Sequence, residues 1–245
     1  MVPSTESVAS ETFTRGRLWA TAAVRSAEVD GLRVILDLNS QSYLVLDEAA
    51  TAFWSVLIGG GDDSVRRLSE KFEVERPEIL ATLEAFRGRC VAEGLLQEGR
   101  EDSLAKPSVQ SEISRRRGRA GWGALRALGC LLKTQRSLQE HGFAYTYQRY
   151  ATYPPRGTAA PLELALHGFR RAESLFIPRR APSDCLARSL SLFRFMRSMG
   201  VAVDHVIGVR RLPFAAHAWV EFDGLPLLDV FVHGFTPLAR IGVNS

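Results

Sequence analysis

The sequence predicts an α+β protein in two halves, on three observations. Short strand-like runs occupy residues 18–47, apolar positions at helical spacing follow to about residue 96, and after a polar stretch the order reverses, helices first and strands last. A chain of 245 residues holds one large domain or two small ones. With 46% hydrophobic and 24% charged residues it has ordinary globular composition.

Residues 1–14 are rich in Ser, Thr and Glu and are expected to be disordered. The strands begin near Leu18, with "LRVILDL" (32–38) and "SYLVLD" (42–47) joined by a turn at Asn39-Ser40. Ala49, Ala52, Phe53, Val56 and Leu57 then mark a helix that ends at glycines 59–61. Asp62 and Asp63 can cap a second helix, "SVRRLSEKF". A third, Arg76 to Leu96, carries Ile79, Leu83, Phe86, Cys90 and Val91 at helical intervals. Strands followed by three helices make residues 15–98 a winged-helix-like unit.

Residues 99–120 are polar, end in the basic run "SRRRGR" (114–119), and read as a solvated linker. The second domain is expected over 121–245. Its first helix, "GALRALGCLLKTQRSL" (123–138), repeats Leu125, Leu128, Leu132 and Leu138 on one face and suits a core better than a membrane surface. Cys130 on that helix should be buried and inert. Leu162 to Phe169 gives another apolar stripe. "VAVDHVIGVRR" (201–211), "FAAHAWVEF" (214–222) and "LPLLDVFV" (225–232) then form an antiparallel meander, its last turn marked by Asp223-Gly224.

The totals exclude several function classes. A net charge of +4 is too weak to imply nucleic acid on its own. Cys90, Cys130 and Cys185, 40 and 55 residues apart, make neither a disulfide framework nor a zinc pattern. There is no Gly-rich phosphate loop and no metal-spaced His/Cys cluster, so neither cofactor nor metal is expected. No apolar run reaches the roughly 18 residues of a membrane span, and residues 1–14 do not resemble a secretion signal. The expected compartment is the reducing cytoplasm.

Cys185 heads the segment "SDCLARSLSLFRFMRSMG" (183–200). Pro182, Ser183 and Asp184 are helix-start signals, and Leu186, Leu190, Phe193 and Met196 bury one face before Gly200 ends the helix. A thiol in a first turn faces unpaired amide N–H groups, which stabilise a thiolate and an oxyanion alike. Such a nucleophile needs a base, usually histidine, oriented by a carboxylate. His217 lies between alanines on a strand that puts His217, Trp219 and Glu221 on one face; His205 on the neighbouring strand is the rival. Asp229 is the only acid in "LPLLDVFV". With an even-numbered loop it falls across from Ala218, on the wrong face, so a triad requires an odd loop or a bulge.

These residues resemble a family. "DCLARSLSLFRFMRSMGVAVDHVIGVRRLPFAAHAWVEFDG" with the downstream Asp is similar to the transglutaminase-like core of the lasso-peptide B proteins, over about residues 165–230. The resemblance implies a transglutaminase-like, papain-like core and a peptidase that removes the leader from a ribosomally made precursor. It makes Cys185 the nucleophile, His217 the base and later acid, and Asp229 the orienting carboxylate, although Asp223 or Glu221 could be mistaken for it. Ring closure would fall to a separate ATP-dependent cyclase. Residues 15–98, most visibly "DLNSQSYLVLDEAATAFW", resemble the PqqD-like leader-recognition domain.

An exposed strand edge can take a peptide as one more strand. The leader is expected along Ser42, Tyr43, Leu44, Val45 and Leu46, packed against Ile79, Leu83 and Phe86, with Tyr43 either an anchor or a core residue. Two other functions fit part of the chain. One is transglutaminase-type acyl transfer with the same nucleophile and base. The other is a non-enzymatic winged-helix nucleic-acid binder using Arg66, Arg67 and the 115–119 cluster. Against the latter, helix 76–96 carries Glu78, Glu84 and Glu93, a poor surface for a polyanion.

Overall fold

A computed structural model describes residues 18–59, 61–99, 122–175, 185–229 and 232–242. The expected disordered start, nearly all of the linker with its basic run, and the capping residues Pro182, Ser183 and Asp184 lie outside them. In chain order the first elements are β1 (Leu18–Ala20), β2 (Val24–Val29), β3 (Leu32–Asp37), β4 (Ser42–Val45), α1 (Glu48–Gly59), α2 (Asp62–Phe72), α3 (Arg76–Ala92) and β5 (Leu96–Glu98). Then come α4 (Trp122–Ala151), α5 (Leu162–Leu175), α6 (Cys185–Ser198), β6 (Asp204–Arg210), β7 (Ala215–Phe222), β8 (Leu225–Leu227) and β9 (Thr236–Ile241). Helices and antiparallel sheets make it α+β, as the hydrophobic patterning predicts.

The chain forms two compact units: Met1–Ala22 with Leu46–Asp102, and Ala23–Val45 with Ser103–Ser245. In the first, β1 pairs antiparallel with β5, and α1, α2 and α3 bury Trp54, Val65 and Leu83 completely. Phe53 meets Phe72 and Phe86 at ring distances of 6.4 and 6.0 Å. A proline in the first turn of α3 suits a position whose N–H has no helical partner. The third helix stops at Ala92, short of the expected Leu96, because Gly94 turns the chain at positive φ and Leu96 enters β5.

The second unit holds two antiparallel sheets, β2-β3-β4 and β8-β7-β6-β9, with α4, α5 and α6. The β3–β4 turn is fixed by Asp37, whose carboxylate accepts from the Asn39 N–H at 2.8 Å and the Ser40 hydroxyl at 2.7 Å. One core joins Val34 and Leu36 of β3 to Phe169, Phe193, Ile207 and Val220. Strands between Ala23 and Val45 thus share a core with residues far downstream, which apolar periodicity alone does not reveal.

Helix α4 runs to Ala151, well past the expected end at 138, with a non-helical break at Gly142. Buried Phe143, Tyr147 and Tyr150 belong to its second part. The strand expected over 225–232 is β8 over Leu225–Leu227 only, and residues 230 and 231 lie outside the described ones. The sequence reading stops at residue 232 and does not include β9; its Pro237 is accommodated because β9 is the outer strand of its sheet. So β6, β7 and β8 form the expected meander, and β9 returns to the far side of β6.

Helix α6 is the centre of this unit. From Ser189 to Ser198 all its residues except Arg194 are buried. The Arg188 guanidinium binds both carboxylate oxygens of Glu173 on α5, at 2.6 and 3.2 Å. At its end Gly200 combines a φ of 78° with a backbone approach so close that a Cβ would lie 2.8 Å from Thr158. A side chain there would displace the end of the helix, and with it the mount of Cys185.

Candidate active site

Cys185 is the first described residue of α6, and its side chain is partly buried. It borders the same core as Ala216 and Ala218, the two neighbours of His217 on β7. One turn along the helix, Ser189 Oγ lies 2.9 Å from His205 Nε2 on β6, so this face of α6 is fastened to the sheet.

Register separates the two histidines. His205 pairs with Val220 and Ile207 with Ala218, so these four side chains share the core face. His217 pairs with Gly208 and Trp219 with Val206, on the opposite face. His205 has no exposed surface, and burial lowers its pKa from 6.5 to about 3. It stays neutral at any working pH, with one nitrogen held by Ser189. The rival base is therefore a structural core residue.

This burial makes stability pH-dependent. The unfolded chain protonates His205 near 6.5 and the folded protein only near 3. Between those values the unfolded state binds more protons, so stability falls as pH falls, by up to about 1.4 kcal/mol per pH unit from this group, with no contribution above 6.5. Urea unfolding at pH 7 and pH 5 should show this loss. His205→Gln, which can still bond Ser189, should reduce the difference between the two pH values.

His217 Nε2 lies 2.6 Å from Asp229 Oδ2, and both side chains are largely buried. An ionised carboxylate only accepts, so Nε2 carries the proton and Nδ1 is left as the basic nitrogen. How Asp229 reaches this face answers the register question. The β7–β8 connection is the two-residue turn Asp223-Gly224, both at positive φ, with Phe222 opposite Leu225 and Val220 opposite Leu227. Continued regularly, that even loop would set Asp229 across from Ala218. Instead β8 stops at Leu227, and Leu228 takes a left-handed conformation with φ 56°. With the pairing ended, this irregular step brings Asp229 within reach of His217. Neither Asp223 nor Glu221 takes that place: Asp223 forms the turn, and Glu221 accepts from Trp219 Nε1 at 2.7 Å and from Arg240 at 2.6 Å.

Aromatic rings surround the imidazole. Trp219 stacks at 6.1 Å and Phe235 lies at 5.6 Å, tilted. Arg240, which also reaches Asp204 at 3.3 Å, and Glu221 hold the Trp219 indole through its N–H. Gly208 makes room for that ring: a Cβ there would lie 2.6 Å from it. Sequence reasoning missed Phe235 and this use of Gly208. A glycine inside the strand run "VIGV" is the signal that could have found the second, since it marks a close approach.

The residues expected to bind a peptide are divided. Ser42–Val45 form β4, the outer strand of the β2-β3-β4 sheet, with Leu44 and Val45 about two-fifths exposed. Tyr43 both borders the core and meets Phe214 edge-on at 5.7 Å. Leu46 is buried, and Ile79, Leu83 and Phe86 face the interior of the first unit. These α3 side chains, each less than a tenth exposed, are packed core in this conformation rather than surface open to a peptide.

Among the described residues no group of His, Cys, Asp and Glu could hold a metal, and no helix is long and apolar enough to cross a membrane.

Residues 125–240 match the transglutaminase-like superfamily, and residues 33–96 match the family described as coenzyme PQQ synthesis protein D (PqqD). A segment of 47 residues is 45% identical to the microcin J25-processing protein McjB of Escherichia coli, covering 19% of this chain and 23% of that protein. The chain is also similar to the solved structure of TbiB1 in complex with the TbiA(beta) leader peptide, at 27% identity and a TM-score of 0.30, over 34% of this chain and 98% of that one.

Proposed function

This chain has a lasso-peptide B-protein-like architecture, a PqqD domain followed by a transglutaminase-like domain, and on that premise we propose that it is a cysteine peptidase removing the leader of a lasso-peptide precursor. The observation that carries the reading is the 2.6 Å bond between His217 and Asp229 on the strand against which the Cys185 helix packs.

In this mechanism His217 Nδ1 takes the Cys185 thiol proton, and the sulfur attacks the carbonyl of the bond between leader and core. The amides of the first turn of α6 hold the oxyanion. As the C–N bond breaks, His217 returns its proton to the amine that becomes the N-terminus of the core, leaving the leader as a thioester. Water, deprotonated by the same nitrogen, then releases the leader as a carboxylic acid. Asp229 orients the imidazole through Nε2 and stabilises the imidazolium. Ring closure belongs to a separate ATP-dependent cyclase.

The leader docks as an added strand on β4 at Ser42–Val45, by main-chain hydrogen bonds. Because β4 and the first-unit helices fall in different compact units, binding should be measured on the full chain. Incubation with a leader-plus-core precursor should yield two fragments whose masses sum to the precursor plus one water. Uncut precursor would refute the peptidase reading. In titration calorimetry Leu44→Pro should weaken leader binding about tenfold or more, since it removes a backbone N–H of β4; circular dichroism must show an intact fold. Unchanged affinity would place the docking edge elsewhere.

A further inference from the structure

The loop between β6 and β7 exposes two large apolar side chains, Leu212 at 74% and Phe214 at 48%. Two separate contacts seat the loop on the three-stranded sheet. The Arg211 guanidinium lies 3.5 Å from a carboxylate oxygen of Asp30 in the β2–β3 turn, and the Phe214 ring meets Tyr43 of β4 edge-on at 5.7 Å. Phe214 of the loop therefore adjoins Tyr43 of the outer strand, on the face that also carries Val45, 41% exposed, while Leu44 lies on the other face. At the loop's other end the chain enters β7 directly, and His217 follows Phe214 by three residues, about 10 Å of extended chain.

We propose that residues 212–214 form a second reading element for the substrate, burying an apolar side chain of the leader that lies between the segment added to β4 and the bond that is cut. The proposal rests on the leader-peptidase reading. Its occupant follows from the chemistry of the surface. An outer strand offers donors and acceptors at the repeat of an extended peptide, and a peptide laid there runs beside the loop. Apolar residues exposed singly are ordinary, but here Phe214 touches the outer strand through Tyr43 and the loop leads within three residues to the proposed base. Charged groups near the loop, Arg211 and Asp30, are engaged with each other, which leaves an apolar contact as what the loop offers.

The test compares the full-length protein with Leu212→Ser and with Leu212→Ser/Phe214→Ser. Substrates are the whole precursor and a short peptide spanning only the cut site. Loss of one buried apolar contact should raise KM for the precursor about tenfold in the double variant and about threefold in the single one, with kcat within about twofold. The short peptide, which does not reach the loop, should be cleaved equally by all three proteins. Leu212 is mostly exposed, so the single variant gives a result even if the double one fails to fold. An unchanged KM in both variants would overturn the proposal. So would sedimentation showing that the wild type is a dimer which the substitutions dissociate, since the patch would then join two copies of the chain. Wild-type cleavage that Cys185→Ala abolishes, alongside an unchanged KM in the loop variants, would sink this inference alone. A wild-type protein that leaves the precursor uncut would remove the peptidase reading and this one with it.

Discussion

Cys185→Ala is expected to abolish precursor cleavage, a fall of about 10,000-fold or more, while leader affinity and fold persist. The side chain sits at the start of α6 and is only partly buried, so its removal opens no large cavity. The other thiols supply the contrast. Burial pushes the Cys90 thiol up to about 11 and also raises that of Cys130, so at neutral pH both stay protonated and shielded. Cys90→Ala and Cys130→Ala should cost about 1 kcal/mol of stability each and leave cleavage intact below the melting temperature. Cleavage and thermal melts on the three variants check this, and a Cys185→Ala protein that still cuts would end the cysteine-peptidase reading.

His217→Ala should be nearly as severe, about 1,000-fold or more in kcat, because the proposed mechanism passes the thiol proton through this imidazole. His205 cannot substitute, being neutral, enclosed and bonded to Ser189. Asp229→Ala should be milder, about 100-fold, since the carboxylate orients the ring and stabilises its charge but exchanges no proton. Single-turnover cleavage separates these effects from binding. Equal losses for Asp229→Ala and Glu221→Gln would mean that the 2.6 Å bond has no special role.

Much of this site is visible in the sequence because it is local. Alternation along "HAWVE" and the Asp-Gly turn each specify their own geometry within a few residues. The position of Asp229 was half legible. Register arithmetic required an irregularity, but nothing in "PLLDV" shows that Leu228 is where a left-handed residue breaks the strand. Long-range features were not legible. Placing strands Val24–Val45 in one core with Phe193 and Val220 depends on contacts across more than a hundred residues, which no local period encodes. Burial also changed the reading of α3: Ile79, Leu83 and Phe86 recur at helical spacing whether they face a peptide or a neighbouring helix, and here they face the interior.

The most direct measurement is covalent capture. A leader peptide carrying a chloromethyl ketone at the cut position would be incubated with the full chain at neutral pH, and the adducts located by mass spectrometry after digestion. A nucleophile at the head of α6, activated by His217 and presented with its own substrate, should take up one equivalent on Cys185 and leave Cys90 and Cys130 unmodified. Capture should slow in His217→Ala and in the presence of excess unmodified leader. Modification spread over all three cysteines, or a Cys185 rate indifferent to both His217 and the leader, would contradict the assignment of Cys185 as the nucleophile.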